Sequence, residues 1–568
     1  MDGDGERALV DEVGIDGSRA LVVPRDAGGA RPLLPASSPY HRVVAAFPRD
    51  PRVLIEILAT DGLAARLAVV DARGGVARWL APGLAERFLG WNADGSAFRT
   101  ASTAASGDLL LETATSGLVR REIQAAPTPY RIAACDPEGR RLVLSRALDD
   151  ESDEIVVLDR TIGDGRLLLP TAGDGRFRFL AWGRERGSAF FSADDGADLP
   201  RLELVDLERG GRRPFGRLAC PPLAVRPQAD GSWAVVIDCG GRHELVRLDP
   251  AGDLLPAGET PQGTRALDAL VTAPAGRGWL LTGGPTWPRD LAALGGDGEL
   301  RPKTYGLGAR LAPRSVPAAR PLSVRSGAVA LPARLWPAPQ RTTLGVIWLS
   351  ARAPRFDEFD ARFAALAAAG ASTLQVVGRG ADGFGRTFRR AADGDPAAAA
   401  LADADAALAA LRRELGSAFP VTILGDGPWW GATALVLAAR GTPGDVLFAA
   451  LDPDPDPFAA LDGAAELSEP VRQRLISRWG DPADARVAAL RESWRFRAAS
   501  LRAPTVIWLT PAARADPRFT APAGAPTAPE SAVEIRVASG ERSERLPARE
   551  VVRWLIERAL ATAAAAPR

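Results

Sequence analysis

The chain contains very little lysine, histidine or cysteine. Lys303 is the only lysine, and all the other basic residues are arginine. Together with abundant Ala, Gly and Pro, this composition is typical of a protein encoded by a GC-rich bacterial genome. The 70 basic and 70 acidic residues give a formal net charge of zero. We therefore expect no nucleic acid or anionic membrane as partner, because there is no basic field to attract one.

The three cysteines, Cys135, Cys220 and Cys239, are an odd number and have no CxxC spacing. This pattern favours neither a disulfide framework nor a zinc site. We expect all three to lie on strands as small buried hydrophobic residues. The sequence predicts no metal site and no other cofactor.

Long hydrophobic runs are also missing. The acidic start of the chain lacks the apolar segment of a secretory signal, and no apolar run reaches the roughly 18 residues that a membrane helix needs. We therefore expect a cytoplasmic, soluble protein. A chain of 568 residues is longer than a typical single domain, so the length predicts two or more domains.

The first 300 or so residues repeat one pattern, in which a short apolar strand, a polar turn and a second apolar strand follow each other. The starts of the repeats are 44 to 47 residues apart. The six clear examples are residues 44–57, 89–102, 133–146, 180–193, 224–237 and 271–284. Four short strands per unit at that period indicate a β-propeller blade.

A seventh, less regular unit fits in residues 8–40, so we predict a β-propeller of about seven blades in residues 1–315. A β-solenoid or a pair of sandwiches is the alternative. The aromatic residues Trp91, Trp182 and Phe191 are expected to pack between blades.

Residues 300–325 are rich in proline and predict a linker. Beyond them, apolar strands alternate with helices, which indicates a mostly parallel sheet with helices on both faces in residues 316–568. The predicted strands are residues 344–349, 372–377, 421–425, 447–451, 504–509 and 532–537, and the predicted helices are residues 357–370, 396–415 and 549–560.

Residues 421–432, Val-Thr-Ile-Leu-Gly-Asp-Gly-Pro-Trp-Trp-Gly-Ala, predict a strand, a glycine-containing turn and a helix. This is the layout of a nucleophile elbow, which presents a catalytic Ser at the edge of an α/β-hydrolase sheet. The central position of the elbow is Gly427, which has no side chain to act as a nucleophile.

A propeller followed by an α/β-hydrolase domain resembles the prolyl oligopeptidase family of serine peptidases. The resemblance covers nearly the whole chain. Residues 376–395 resemble the family's Arg-Gly-Ser-x-Gly-Tyr-Gly segment, residues 421–433 occupy its Gly-x-Ser-x-Gly-Gly elbow, and residues 478–509 resemble the stretch that leads to its later active-site strand.

The resemblance implies a Ser-His-Asp triad and an oxyanion hole, but the chain departs from that pattern. The Ser position holds Gly427, and bulky Trp429 and Trp430 follow it. The Asp position has Asp516 as its candidate acid. The His position falls near Glu541 and Arg542, and neither is a histidine.

The oxyanion loop, His-Gly-Gly-Pro in the family, has lost its glycines and is Leu-Ser-Ala-Arg-Ala-Pro in residues 349–354, with Arg352 at its centre. Arg379, Phe384, Trp429, Trp430 and Arg352 are candidates to line a pocket for a peptide or carboxylate, or else to fill a closed cavity.

Two further hypotheses concern acidic residues. Asp426, next to the elbow centre, could replace Ser as nucleophile, although an elbow exposes mainly its central residue. Asp452, Asp454 and Asp456 follow a predicted strand and could bind a hard cation, but the prolines between them favour a stiff polar loop.

The sequence thus predicts a catalytically inactive prolyl-oligopeptidase-like protein that binds or scaffolds a peptide or protein partner. It could form homo-oligomers or pair with an active homologue. The alternative is a hydrolase of the same fold with non-standard chemistry, acting on peptide, ester or amide substrates.

Overall fold

The computed structural model of the 568-residue chain describes the following residues: 7–14, 17–24, 30–35, 41–48, 50–57, 66–73, 77–80, 86–104, 107–148, 152–170, 175–256, 265–270, 278–294, 300–303, 318–350, 358–441, 446–459, 469–495, 501–509, 533–537 and 546–565. The chain divides into two compact units. The N-terminal unit comprises Met1–Cys239, His243–Gly283 and Arg289–Gly306, and the C-terminal unit comprises Gly240–Arg242, Gly284–Pro288 and Leu307–Arg568.

The N-terminal unit is a succession of small antiparallel sheets, in each of which the strands follow one another in chain order. The first sheet has three strands, β1 (Arg7–Gly14), β2 (Gly17–Pro24) and β3 (Arg31–Pro32). Six four-stranded sheets follow: β4 (His41–Ala46), β5 (Arg52–Ile57), β6 (Arg66–Asp71) and β7 (Arg78–Trp79); β8 (Glu86–Trp91), β9 (Ala97–Ala104), β10 (Gly107–Ala114) and β11 (Arg120–Ala125); β12 (Arg131–Cys135), β13 (Arg141–Ala147), β14 (Asp153–Asp159) and β15 (Asp164–Leu169); β16 (Phe177–Trp182), β17 (Ser188–Ala193), β18 (Arg201–Asp206) and β19 (Arg212–Pro214); β20 (Pro222–Pro227), β21 (Trp233–Asp238), β22 (His243–Leu248) and β23 (Leu254–Leu255); β24 (Arg265–Leu270), β25 (Gly278–Gly283), β26 (Asp290–Leu294) and β27 (Leu300–Pro302).

This architecture is a β-propeller. Five of the six predicted repeats overlap the first two strands of a four-stranded sheet; the sixth, residues 271–284, contains only the second strand, β25, because β24 ends at Leu270. The irregular unit predicted in residues 8–40 forms the three-stranded sheet among the described residues, and the number of seven blades stays a prediction.

The first strand of each four-stranded sheet has the same local irregularity. A β-bulge interrupts its pairing with the second strand at Val43, Phe88, Ile132, Phe179, Pro222 and Ala266. First strands also make the extensive contacts between neighbouring sheets, as β8 does with β12 and β16 with β20. Because the blades of a propeller approach each other most closely at its axis, the first strands form the inner ring.

Aromatic residues fill the space between the sheets. Trp91 of β8 lies edge-on against Phe47 of the preceding sheet, with ring centroids 4.9 Å apart. Trp182 packs against a cluster that includes fully buried Phe191. The three aromatic residues that we expected in the propeller core are therefore core residues.

The prediction for the cysteines was wrong in part. Cys220 and Cys239 lie just outside β20 and β21 and form a disulfide, with their Cα atoms 5.1 Å apart. Antiparallel pairing of the two strands, which places Pro222 opposite Ile237, brings their flanking residues together. Cys135 is a free, buried thiol on β12, as expected.

The linker prediction for residues 300–325 was also wrong at its two ends. Leu300–Pro302 forms the last strand of the sixth four-stranded sheet, where proline is tolerated because the strand lies at the edge. Arg320–Pro321 and Val324–Ser326 are strands of the C-terminal unit. Residues 304–317 lie outside the described part of the chain.

The C-terminal unit is built on an eight-stranded sheet. Its order is β28 (Arg320–Pro321), β31 (Ala333–Trp336), β33 (Ala371–Val377), β32 (Leu344–Ser350), β34 (Val421–Asp426), β35 (Val446–Leu451), β36 (Thr505–Leu509) and β37 (Val533–Val537). The strands from β33 to β37 in this order are parallel. A separate hairpin consists of β29 (Val324–Ser326) and β30 (Val329–Leu331).

The described helices are α1 (Ala361–Ala368), α2 (Arg386–Arg390), α3 (Pro396–Leu415), α4 (Pro428–Arg440), α5 (Glu469–Trp479), α6 (Ala485–Trp494) and α7 (Leu546–Ala565). Side chains that alternate along the strands pack against helices on both faces. Ile423 belongs to the core shared with α3 and α4, and its neighbour Leu424 belongs to the core shared with α1 and α7. No helix in the described residues is long and apolar enough to cross a bilayer.

Candidate functional site

The predicted elbow is present at the carboxyl end of β34. The strand ends at Asp426, Gly427 has a φ of 89°, and α4 begins at Pro428. Gly425 allows the helix to approach the strand closely, since a Cβ at this position would lie 1.8 Å from the backbone oxygen of Trp430. The backbone N–H of Gly427 donates to the carbonyl of Leu451 on the neighbouring strand, at 3.1 Å.

The centre of the elbow has room for a side chain. A Cβ added at Gly427 would meet no heavy atom within 4 Å. Packing therefore does not force glycine here, although the positive φ favours it. The turn has the strand, turn and helix of a nucleophile elbow, with glycine at its centre.

The carboxylate of Asp426 is held by the neighbouring strand. Its Oδ2 accepts a hydrogen bond of 2.9 Å from the indole Nε1–H of buried Trp348. The guanidinium of Arg362 lies over the Trp348 ring, 5.2 Å from its centroid. Burial opposes the charge of Arg362, but its hydrogen bond to Asp360 and the negative charges of Asp360 and Asp426 outweigh burial and raise the pKa of Arg362. Asp426 is thus part of a packed group with Trp348, Arg362 and Asp360.

The two tryptophans after the elbow lie in different surroundings. Trp430 is 1% exposed and belongs to the core of the C-terminal unit. Its ring lies against Gly378, where an added Cβ would be 1.9 Å from Cζ2 of the indole. Trp430 is therefore a packed core residue and does not line an open surface.

Trp429 is partly buried in a second aromatic cluster. Its ring stacks on Trp494 of α6 at 4.9 Å and 14°, and meets Trp479 of α5 edge-on at 5.1 Å. Phe458 completes the group. Stacked and edge-on aromatic pairs of this kind stabilise a fold beyond their buried area. The cluster attaches α5 and α6 to the first turn of α4, next to the elbow.

Arg379 is engaged in a structural ion pair. Its backbone N–H and its Nε–H donate to the two carboxylate oxygens of Asp403, each at 2.9 Å, and its Nη2 bonds both Asp403 and Ser326. Asp403 is fully buried on α3. A buried carboxylate needs such a partner, so Arg379 stabilises the fold. Phe384 packs against Phe388 at 5.4 Å.

Four predicted site residues, Arg352, Asp516, Glu541 and Arg542, lie outside the described part of the chain. The acidic loop after β35 is described, and there Asp456 is 5% exposed and pairs with Arg491 at 2.8 Å. In the described ranges, no group of three or more His, Cys, Asp or Glu side chains is placed to hold a metal ion.

The sequence analysis missed two features. The partners that hold Asp426 and Arg379, namely Trp348 and Asp403, are distant in sequence and carry no local motif. The second feature is an arginine that recurs immediately before the bulge of the inner propeller strands, as in Arg42, Arg87 and Arg131. Its spacing of 44 to 47 residues matches the repeat and could have been found.

Solved peptidase structures share the fold over nearly the whole chain. A prolyl endopeptidase structure matches with a TM-score of 0.71 at 14% identity, covering 98% of this chain and 88% of the other. A puromycin-hydrolyzing peptidase from Mycobacterium tuberculosis matches with a TM-score of 0.69 at 17% identity, covering 98% and 94%. Prolyl oligopeptidase B from Galerina marginata, solved with a bound 35-residue substrate, matches with a TM-score of 0.70 at 12% identity, covering 99% and 89%.

No protein-family model and no curated protein matches the sequence. The solved structures show that the chain has the fold of the prolyl oligopeptidases and related peptidases, a propeller followed by a mostly parallel sheet with helices on both faces.

Proposed function

We propose that this chain is a catalytically inactive, prolyl-oligopeptidase-like protein that acts by binding a peptide or protein partner. The observation that carries the proposal is Gly427, a residue without a side chain at the centre of a well-formed elbow. The absence of a nucleophile is accompanied by the absence of a base, because the only histidines in the sequence are His41 and His243. Both belong to the N-terminal unit.

We expect these changes to lower the catalytic rate greatly. In serine peptidases, removal of either the Ser or the His alone lowers kcat on the order of 10⁶-fold. A residual rate in such enzymes comes from the oxyanion hole and from substrate binding. The oxyanion loop of this sequence has lost its glycines as well, so the usual acyl-transfer mechanism has no route here.

The packing of the C-terminal unit bears on where a partner could bind. Trp430 and Arg379, two of the residues predicted to line a pocket, are used for core packing and for a buried ion pair. Trp429 is committed to an aromatic cluster. The remaining candidates for contact with a partner are Phe384, Arg352 and the surfaces of the propeller. The partner is a peptide, a protein, a second copy of the chain or an active homologue.

The alternative is a hydrolase with non-standard chemistry, in which Asp426 replaces Ser. The geometry does not favour it, because the Asp426 carboxylate accepts the Trp348 hydrogen bond. An ester formed on Asp426 would also need a base to activate water, and the sequence of the C-terminal unit has no histidine to supply one.

The test is turnover of chromogenic ester and aminoacyl substrates by the wild-type chain and by Gly427→Ser. We expect neither protein to turn over substrate above the uncatalysed rate, since Ser alone lacks a base. Asp426→Asn is the matched control for the alternative. Wild-type turnover that is lost in Asp426→Asn would establish the aspartate mechanism and contradict our proposal.

A further inference from the structure

Arginine occurs at one fixed position of the inner propeller strands. It immediately precedes the β-bulge in five of the six first strands of the four-stranded sheets; the equivalent position before β20 is Pro221. We call this set the arginine ring; its members are Arg42, Arg87, Arg131, Arg178 and Arg265.

The inner strands are positively charged although the chain as a whole is neutral. In sequence, the six first strands contain six arginines and only two acidic residues, Glu86 and Asp268. Glu86 is buried and pairs with Arg120 of the outer strand β11. The first strands therefore carry more positive than negative charge, six arginines against two acidic residues.

The guanidinium groups of the ring reach solvent. The side chains of Arg42, Arg87 and Arg131 are 58%, 53% and 53% exposed, and Arg178 is also exposed. Arg87 and Arg178 are partly desolvated: burial lowers the pKa of both, and the charge of Asp108 opposes the shift at Arg87. A guanidinium in such surroundings interacts more strongly with an anion than one on an open surface.

Three members of the ring lie within ion-pair distance of a carboxylate. Arg42 forms an ion pair with Glu56, and Arg131 with buried Asp108 at 2.8 Å. Arg87 lies 3.9 Å from the same Asp108 carboxylate. Their charges are therefore partly neutralised within the propeller.

Arg178 and Arg87 share a different arrangement. The Nη2 of Arg178 donates to the carbonyl oxygens of Pro222 and Leu223 on the next sheet, at 3.1 and 3.0 Å. Arg87 makes the equivalent bonds to Ile132 and Ala133. These bonds orient both guanidinium groups. Arg87 also lies near the Asp108 carboxylate, whereas no carboxylate among the described residues lies within ion-pair distance of Arg178.

The surface beside the ring is apolar. The strands β4, β8 and β16 have the same burial pattern, with a buried first residue, the exposed arginine, and four half-buried residues. Those half-buried residues include Val44, Leu89 and Leu180. A ligand complementary to this surface carries both negative and apolar groups, which inorganic anions do not.

We propose that the arginine ring binds an acidic peptide, whose carboxylates pair with Arg87 and Arg178 and whose apolar side chains lie on the inner strands. Guanidinium groups bind carboxylates through two parallel hydrogen bonds, which gives the contact geometric specificity. The proposal rests on the binding role proposed above and adds a place and a ligand class. The site itself lies within the N-terminal unit and does not depend on the elbow.

The experiment is fluorescence anisotropy with a fluorescein-labelled peptide of alternating Glu and Leu, using the full chain. The wild-type protein is compared with R87Q/R178Q and with R121Q/R213Q, a matched control on the outer strands β11 and β19. We expect R87Q/R178Q to weaken binding about tenfold, a change that two half-exposed charge contacts supply, and R121Q/R213Q to have no effect. Binding should also weaken as ionic strength rises.

Arg87 and Arg178 also connect neighbouring sheets, so each variant is checked by thermal unfolding. If R87Q/R178Q does not fold, R87K/R178K, which keeps the charge, and R42Q/R131Q serve in its place. R42Q/R131Q should weaken binding, whereas R87K/R178K should retain most of it. Equal binding by wild type and the folded ring variants would overturn the proposal.

A peptide of alternating Gln and Leu and inorganic tripolyphosphate test the ligand class. The Gln peptide should bind more weakly than the Glu peptide, and tripolyphosphate should compete poorly because it lacks apolar groups. Competition by tripolyphosphate at the concentration of the Glu peptide itself would overturn the peptide assignment. If the chain turns over substrates and its peptide binding still depends on the arginine ring, only the inactive-homologue proposal is contradicted. If the chain is inactive and does not bind the Glu peptide, only the arginine-ring proposal is contradicted.

Discussion

Replacing Gly378 by alanine tests whether Trp430 is a packed core residue. A Cβ at Gly378 would lie 1.9 Å from Cζ2 and 2.3 Å from Cη2 of the indole, far inside van der Waals contact. The 1% exposed Trp430 ring has no solvent into which it can move. Overpacking of this kind costs about 1–3 kcal/mol of the free energy of unfolding, so we expect Gly378→Ala to lie in the upper part of that range.

The double variant provides the decisive comparison. Trp430→Ala alone should cost about 3–5 kcal/mol, because it leaves a large cavity. In that background the methyl group of Gly378→Ala enters the cavity, so its own cost should disappear. The expected coupling is therefore about 1–3 kcal/mol, well above the roughly 0.5 kcal/mol limit of independent sites.

The assay is equilibrium urea unfolding followed by circular dichroism, with Gly211→Ala as control. A Cβ at Gly211 meets no heavy atom within 4 Å, so this control should change the unfolding free energy by less than about 0.5 kcal/mol. Additive effects of Gly378→Ala and Trp430→Ala would refute the packing argument and return Trp430 to the residues that could line an open cleft.

Three further predictions follow from the buried charges and the cysteines. Asp403→Asn should lower the unfolding free energy by about 3–5 kcal/mol, because it leaves Arg379 charged and unpaired in the interior. The measurement is urea unfolding, with a surface Asp→Asn variant as control. A smaller effect than that of the control would contradict the structural role of the ion pair between Arg379 and Asp403. Titration with a thiol reagent should find no reactive cysteine in the native chain, only Cys135 in urea, and Cys220 and Cys239 as well after reduction; three thiols without reductant would disprove the disulfide. Burial raises the pKa of Cys135 to about 11 from 9.0, so the folded state holds the proton longer than the unfolded state. The contribution of the protonated thiol to the free energy of unfolding should therefore be lost as the pH rises from about 9 to about 11. This pH dependence should be absent in Cys135→Ala.

The elements of the fold could be predicted because their signals are local. The helix α3 spans Pro396–Leu415, as predicted, because Asp395 caps its first turn, Pro396 occupies the first helical position, and Gly416 ends it. The propeller repeat is visible because each blade satisfies the same packing requirement with the same alternation of strand and turn. The strand at Leu300–Pro302 was missed because its proline and its short length are typical of a linker.

The candidate site was less predictable, because it depends on contacts between distant residues. Nothing near Arg379 in sequence identifies Asp403 as its partner, and nothing near Trp430 shows that Gly378 receives its ring. The disulfide between Cys220 and Cys239 arises from the pairing of two strands and not from a recognisable spacing. The vacant elbow centre, in contrast, follows from the sequence alone, since Gly427 occupies a position that a local motif defines.

The most direct test of the inactive-homologue account is intact-mass analysis of the purified wild-type chain after incubation with a fluorophosphonate, with an active serine peptidase as positive control. For an inactive homologue we expect no mass increase, because Gly427, at the centre of the elbow, has no side chain to react. A stoichiometric adduct on a serine of the C-terminal unit would contradict it and would show that the nucleophile lies elsewhere than at this elbow.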